Sequence, residues 1–246
     1  RFMNKSIRAS EFFKERYLMV AQAIEQNDMA QLKQLGRGQD LSQKGDKDMD
    51  LLWFAIAREN FDAIRTLVEL GVNPEKQLAD GIGTALDFAF MKHDDTRYLE
   101  AMLDGGLSPN YSDNPPPMLH RGVFGGLEHV KLLLQRGTRL DERTANVGRT
   151  ALHEAISRVK PDIAIYLLQQ GADFNVYTVN GVTPAWAVYL EVKDGQPGHP
   201  MHTKFLALRD LMIEKGAKWP PDSPVEVREQ MRARGETPVV PRGHTR

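Results

Sequence analysis

The sequence contains no cysteine, which removes disulfides, thiol nucleophiles and thiolate metal sites together. That absence fits the cytosol, and equally an oxidising compartment where a stray thiol is a liability. An excess of either charge is also missing: Lys+Arg number 32 against Asp+Glu 33, a formal net charge of −1. A nucleic-acid binder needs a basic surplus to neutralise phosphates, so the balance argues against that class. No apolar run approaches the roughly 18 residues of a membrane-spanning helix. The chain opens "RFMNKSIRAS", with neither an initiating Met nor an apolar signal region. A mature or trimmed product is therefore expected, with any export signal lying upstream.

What is present is enough apolar material to fold. Hydrophobic residues make up 41% and charged residues 26% of 246 positions, which suits one large domain or an extended array rather than a disordered chain. The stretch "TALHEAISRVKPDIAIYLLQQGADFN" at 150–175 recurs along the chain. Related copies start "TPAWAVYL" at Thr183, "PMLHRGVFGG" at Pro117, "TALDFAF" at Thr84 and "DLLWFAIAREN" at Asp50, with a degenerate one at 20–36. Starts at 50, 84, 117, 150 and 183 give a period of about 33 residues, that of a helix–turn–helix repeat. Apolar residues fall at helical spacing in both halves of each copy, without the alternation of a strand. Thr183-Pro184 reads as a helix start, and Gly71, Gly106, Gly137, Gly171 and Gly216 as the residues that end the second helices. One hairpin alone leaves an apolar face wet, and stacking covers it.

The residues "GRTALHEAISRV…GADFN" resemble the ankyrin-repeat family, with Ala151 where that family has Pro. The resemblance covers about residues 20–219. It implies an all-α ankyrin-repeat solenoid of about six helix–turn–helix units, the first degenerate and the last carrying a loop insertion. The expected organisation is a set of N-terminal capping helices over 1–48, repeats over 49–219, and a short helix with a flexible tail over 220–246. In the capping segment, Ser10 is expected to start one long helix, with Phe12, Phe13, Tyr17 and Val20 covering the first apolar face. In this family the Thr and His groups of the repeat tie neighbouring units by hydrogen bonds. His153 and His120 occupy that position, whereas Trp53, Asp87 and Trp186 replace the His and are expected to interrupt the tie.

His153 is followed by Glu154, but a zinc-protease helix would need a second His where Ser157 stands, so a structural role is expected for His153. His199 and His202, with Asp194 nearby, have a metal-like spacing. They lie among Gly195, Pro197, Gly198 and Pro200, a composition that predicts a flexible loop with no rigid helix to fix two imidazoles. No phosphate loop or nucleophile elbow is found. No catalytic residue, metal or cofactor is therefore expected. The run "GDKDMD" at 45–50 reads as a solvated hairpin tip. The insertion between Tyr189 and Phe205 is read as a loop beside the binding face.

The resemblance points to a non-catalytic protein-binding module. In ankyrin proteins, contact residues sit in the hairpin before the Thr and at the end of the first helix. Carried onto this sequence, they are Asp46, Lys47 and Arg58; Asp80 and Lys92; Asp113 and Phe124; Asn146, Arg149 and Arg158; and Asn180 and Glu191. Their mixed charge suits a protein partner and gives no sign of a polyanion. In architecture and general sequence character the chain is similar to bacterial ankyrin-type immunity proteins, which neutralise phospholipase D-type antibacterial effectors of type VI secretion. This implies a monomer that binds such an effector one-to-one in the periplasm, with the export signal absent from this chain. The alternative is an adaptor or effector ankyrin protein that binds a host or regulatory protein, with a cytoplasmic location. A third class, an enzyme or metal protein using His199 and His202, is set against these.

Overall fold

The free N–H groups of a helix's first turn need acceptors, and the copies starting at 50, 84, 150 and 183 supply one from the capping side chain. Trp53 N–H donates to Asp50 (2.8 Å), Asp87 N–H to Thr84 (3.0 Å), and Trp186 N–H to Thr183 (3.1 Å). In the computed structural model, which describes residues 6–244 and 246, the result is an all-α ankyrin-repeat fold. The expectations attached to residues 1–5, as the trimmed start and part of the N-terminal cap, lie outside the described residues, as does residue 245 of the tail.

The described chain falls into two compact units. The first takes in residues up to Tyr111 together with Phe124–Leu132, and the second Ser112–Val123 together with Leu133–Arg246. In the first unit a 3-10 turn, Ala9–Glu11, leads to α1 (Glu15–Glu25) and α2 (Met29–Gly36). A second 3-10 turn, Asp46–Asp48, leads to α3 (Leu51–Ala57) and α4 (Phe61–Glu69). A minimal antiparallel pair, β1 (Leu78–Ala79) and β2 (Gly83–Thr84), forms the next hairpin, with Leu78 opposite Thr84. Then come α5 (Ala85–Met91) and α6 (Arg97–Asp104). Helices α7 (Met118–Gly125) and α8 (Leu127–Gln135) are divided between the units. The second unit continues with α9 (Ala151–Ser157), α10 (Pro161–Gln169), α11 (Pro184–Asp194), α12 (Pro200–Glu214) and α13 (Pro224–Ala233).

Packing follows the repeat. In the first unit α2 lies on α4 and α4 on α6, and in the second α9 lies on α11 and α10 on α12. Every residue of α3 is buried. Its large aliphatic side chains each contribute roughly 1.5–3 kcal/mol before entropy is charged. Aromatic edges link successive copies: Trp53 meets Phe88 (centroids 5.5 Å apart), and Phe88 meets Tyr98 (5.3 Å). The glycines at 71, 106, 137, 171 and 216 all follow second helices, with φ between 89° and 112°. There an L side chain would clash with its own backbone.

Three expectations need correction. The N-terminal segment is not one helix from Ser10: Ser10 lies inside a 3-10 turn, and α1 begins only after Lys14. The break turns Phe12 and Phe13 inward, edge-on to Phe54 at 6.1 and 5.6 Å. Burying two aromatics outweighs continuing the helix. The run 45–50 is not solvated throughout, since Asp50 is 0% exposed. It caps α3 and pairs with Lys44 at 3.0 Å. The insertion in the last copy is not a flexible loop: most of it lengthens α11 and α12, leaving residues 195–199 as the connection. After α13, Val239 N–H donates to Val179 O (2.8 Å) and Asn180 Nδ2 donates to Val239 O (2.9 Å).

Candidate partner-binding surface

The rigidity of the surface comes from side chains that reach from one copy to a backbone carbonyl of the next. His153 is 2% exposed. Its Nδ1 accepts from Thr150 N–H at 3.0 Å, so the proton sits on Nε2, which donates to Val182 O at 2.9 Å. Burial pushes this imidazole down to about 4, and it stays neutral in the fold. His120 makes the same reach to Arg149 O (3.0 Å), and His129 reaches Ala89 O (3.0 Å). Burial lowers the pKa of both. The expected interruption at Trp53 is overturned: indole Nε1 donates to Gln77 O at 2.8 Å. A longer ring carries its donor to the same kind of acceptor. Asp87 instead accepts from Thr84 N–H within its own helix start (3.0 Å). Trp186 stacks on Tyr189, centroids 5.1 Å apart.

The imidazoles that resembled metal ligands are occupied. His199 Nδ1 accepts from Met201 N–H as the cap of α12, and His202 Nε2 donates to Val192 O at 3.0 Å. Helix α12 does fix these rings, contrary to the loop expectation, and fixes them on backbone groups. Among the described residues no set of three His, Asp or Glu side chains is placed to hold a metal ion.

The expected contact residues separate into those presented outward and those used internally. In the first unit, Asp46 and Lys47 are exposed and adjacent. Asp46 N–H is anchored on Phe12 O (2.7 Å), and the Lys47 ammonium lies 5.6 Å over the Phe12 ring. Asp80 is exposed at the tip between β1 and β2. Phe124 is 41% exposed and edge-on to His93 at 5.4 Å. Lys92 is half-buried against Tyr98. Arg58 turns inward, donating to Ile7 O (2.5 Å) and lying over Phe54.

In the second unit, Asp113 and Asn146 are exposed and Glu191 is half-buried. Arg149 and Arg158 are brought together by Glu154, whose Oε1 lies 3.5 Å from one guanidinium and 3.8 Å from the other. Asn180 is engaged from within the chain: its side chain holds Val239 O, and its carbonyl accepts from the buried Arg228 at 2.9 Å. Glu154 was missing from the expected set, although its spacing four residues before Arg158 is the signal for a helix-surface pair. Tyr177 was also missed. Its hydroxyl donates to Glu236 (2.8 Å), and its ring lies under Arg143 and Arg234.

Capped helix pairs, glycine stops, side-chain-to-carbonyl ties and outward hairpins together define a repeat module built to present a surface. Comparison with known proteins agrees. The family described as "Ankyrin repeats (3 copies)" matches residues 99–178. Protein PhlB of Serratia liquefaciens is 30% identical over 143 residues, 56% of this chain and 61% of that protein. Protein phosphatase 1 regulatory subunit 27 of Mus musculus is 40% identical over 77 residues, 31% of this chain. The match takes in about half of that subunit, 49% of its length. The crystal structure of the ankyrin repeat domain of Bcl-3 superposes with a TM-score of 0.58 at 22% identity, covering 85% of this chain and 92% of that one. The chain thus carries ankyrin repeats over residues 99–178 and has an ankyrin-repeat fold.

Proposed function

We propose that this chain is an immunity protein: a non-catalytic module that binds and inhibits a phospholipase D-type antibacterial effector of type VI secretion. The observation that supports the binding role is the outward hairpin and helix-end side chains of each unit, Asp46, Lys47 and Asp80 in the first and Asp113, Asn146 and Arg158 in the second, the second stiffened by ties such as His153 to Val182. A pre-organised surface loses little entropy on association. The choice of effector rests on the sequence resemblance to ankyrin-type immunity proteins. A bacterial relative that aligns over 56% of this chain is in keeping with it.

Inhibition then requires no chemistry from this chain. A complex burying roughly 1,600 Å² or more in total covers the effector's lipid-cleaving cleft or holds it closed, and slow dissociation keeps it so. The proposed complex is one-to-one and acts in the periplasm. The reading predicts a phospholipase-type effector encoded beside this chain, and co-expression of the two, directed to the periplasm, is expected to restore growth. Cells that die at the same rate with and without this chain would remove the proposal.

A second reading is favoured by the 40% identity to Protein phosphatase 1 regulatory subunit 27, namely an adaptor that binds a regulatory or host protein. Size-exclusion co-elution with a phosphatase catalytic subunit, in place of a phospholipase, is the outcome that would select it.

A further inference from the structure

The hairpins of the second unit are tied to one another through their backbones, and the same tie recurs once more beyond the last of them. Val179 N–H, at the tip before α11, donates to Val147 O of the preceding hairpin (2.9 Å). Val179 O in turn accepts from Val239 N–H (2.8 Å), and Asn180 Nδ2 donates to Val239 O (2.9 Å). Residues 236–239 therefore take the place that a further hairpin would hold in the row. Pro238 and Pro241 keep this segment from coiling into a helix.

The receiving edge is built without help from the segment. Thr178 N–H donates to Val182 O (3.0 Å), Gly181 N–H to Thr178 O (2.9 Å), and the buried Arg228 to Asn180 O (2.9 Å). The Tyr177 hydroxyl lies 2.8 Å from both carboxylate oxygens of Glu236. The guanidinium groups of Arg143 and Arg234 lie over the Tyr177 ring at 5.9 and 5.2 Å, so the position that Glu236 fills favours an anion. A cleft of about 300 Å³ opens beside it, and the carboxylate lining that cleft, Asp222, is taken up by Lys218 (2.7 Å) and Gln230 (3.0 Å). Little holds the segment by comparison. Val239 is 55% exposed, and Glu236 and Thr237 are exposed as well, so these residues gain little from burial. Hydrogen bonds within reach of water add little net stability, and a segment secured this way opens locally.

We propose that the hairpin edge at 177–182 is a docking site for an extended, acidic peptide segment of a partner protein, which residues 236–239 occupy in the free chain until the partner displaces them. The present occupant displays the recognition chemistry: a carboxylate against Tyr177 and Arg234, then, three residues on, an N–H for Val179 O and a carbonyl for Asn180. A partner strand of the same spacing gains main-chain hydrogen bonds by adding to this edge. This assignment goes beyond the immunity reading and is independent of which protein is bound.

The test uses the full chain and a labelled peptide, GETPVVPR, the sequence of residues 235–242, followed by fluorescence anisotropy. Val239→Pro removes the N–H that Val179 O accepts, and Glu236→Lys sets a cation against Arg234. Both positions are exposed, and both variants should melt like the wild type. Each is expected to bind the peptide with a Kd on the order of 100 µM. The wild type should bind it at least about tenfold more weakly, because its own tethered segment competes at high effective concentration. A peptide carrying Glu236→Lys should lose about tenfold against the released chains. No binding by either folded variant at about 1 mM peptide overturns the site. Equal binding by wild type and variants overturns its occupation by 236–239, and equal binding of the charge-reversed peptide overturns the acidic requirement. A large drop in melting temperature in both variants makes the segment structural and overturns its displacement. A wild-type dimer that dissociates in Val239→Pro seats a second copy there and overturns the partner. The assay contains no effector, so its failure is distinct from failure of the immunity reading.

Discussion

Replacing His153 by Leu removes the reach from one repeat to the next while keeping most of the side-chain volume. Val182 O loses its donor at 2.9 Å, and Thr150 N–H loses its acceptor at 3.0 Å. Each buried group left unpaired costs about 1–3 kcal/mol, and the apolar gain of Leu offsets part of this. A net loss of about 2–4 kcal/mol at pH 7 is expected. The pH dependence supplies an independent check. In the native state burial holds the imidazole down to about 4, whereas an unfolded His titrates near 6.5. Between these values the unfolded chain binds more protons, so wild-type stability is complete above about pH 6.5 and declines as pH falls toward 4. Over that window the His153 contribution lost is roughly 3 kcal/mol. The gap between wild type and His153→Leu should therefore narrow with acidification. Urea unfolding followed by circular dichroism from pH 4.5 to 7.5 measures it. A gap that is absent at pH 7, or constant across the range, would refute the reasoning.

Trp53→Phe keeps an aromatic ring against Phe88 but removes the donor to Gln77 O. A loss of about 1–2 kcal/mol in urea unfolding is expected, and a change below a few tenths would deny that Trp53 acts as a tie. Asp50→Ala removes the cap of α3 and leaves Lys44 without its carboxylate partner at 3.0 Å. Thermal unfolding should show a cost of about 1–3 kcal/mol, and a neutral result would return residues 45–50 to an ordinary solvated tip.

The repeat architecture was legible because its signals are local: a threonine before an apolar helical run, and a glycine after the second helix. Gly171 and Thr150 are each read from their immediate neighbours. Several of the corrections concern residues whose environment is set by distant sequence. Phe12 and Phe13 break the N-terminal helix because Phe54, more than forty positions away, offers a packing face. Trp53 keeps a tie because Gln77 O lies at indole reach. Val239 N–H likewise donates to Val179 O. Among the contact residues, the period located the hairpins and helix ends, and Asp46, Asp80 and Arg158 do stand outward there. Period alone could not tell that Arg58 bends back to Ile7 or that Asn180 is engaged by Val239. Nor does a letter in the sequence disclose that Val159 sits at positive φ.

The central claim is that this chain acts by occupying another protein's surface without chemistry of its own. It is tested most directly by titrating the chain into a purified phospholipase D-type effector, the proposed partner, and following lipid cleavage. Activity is predicted to fall in proportion to added chain and to vanish at about one equivalent, as tight one-to-one binding requires. Full activity in the presence of about a tenfold excess would contradict it.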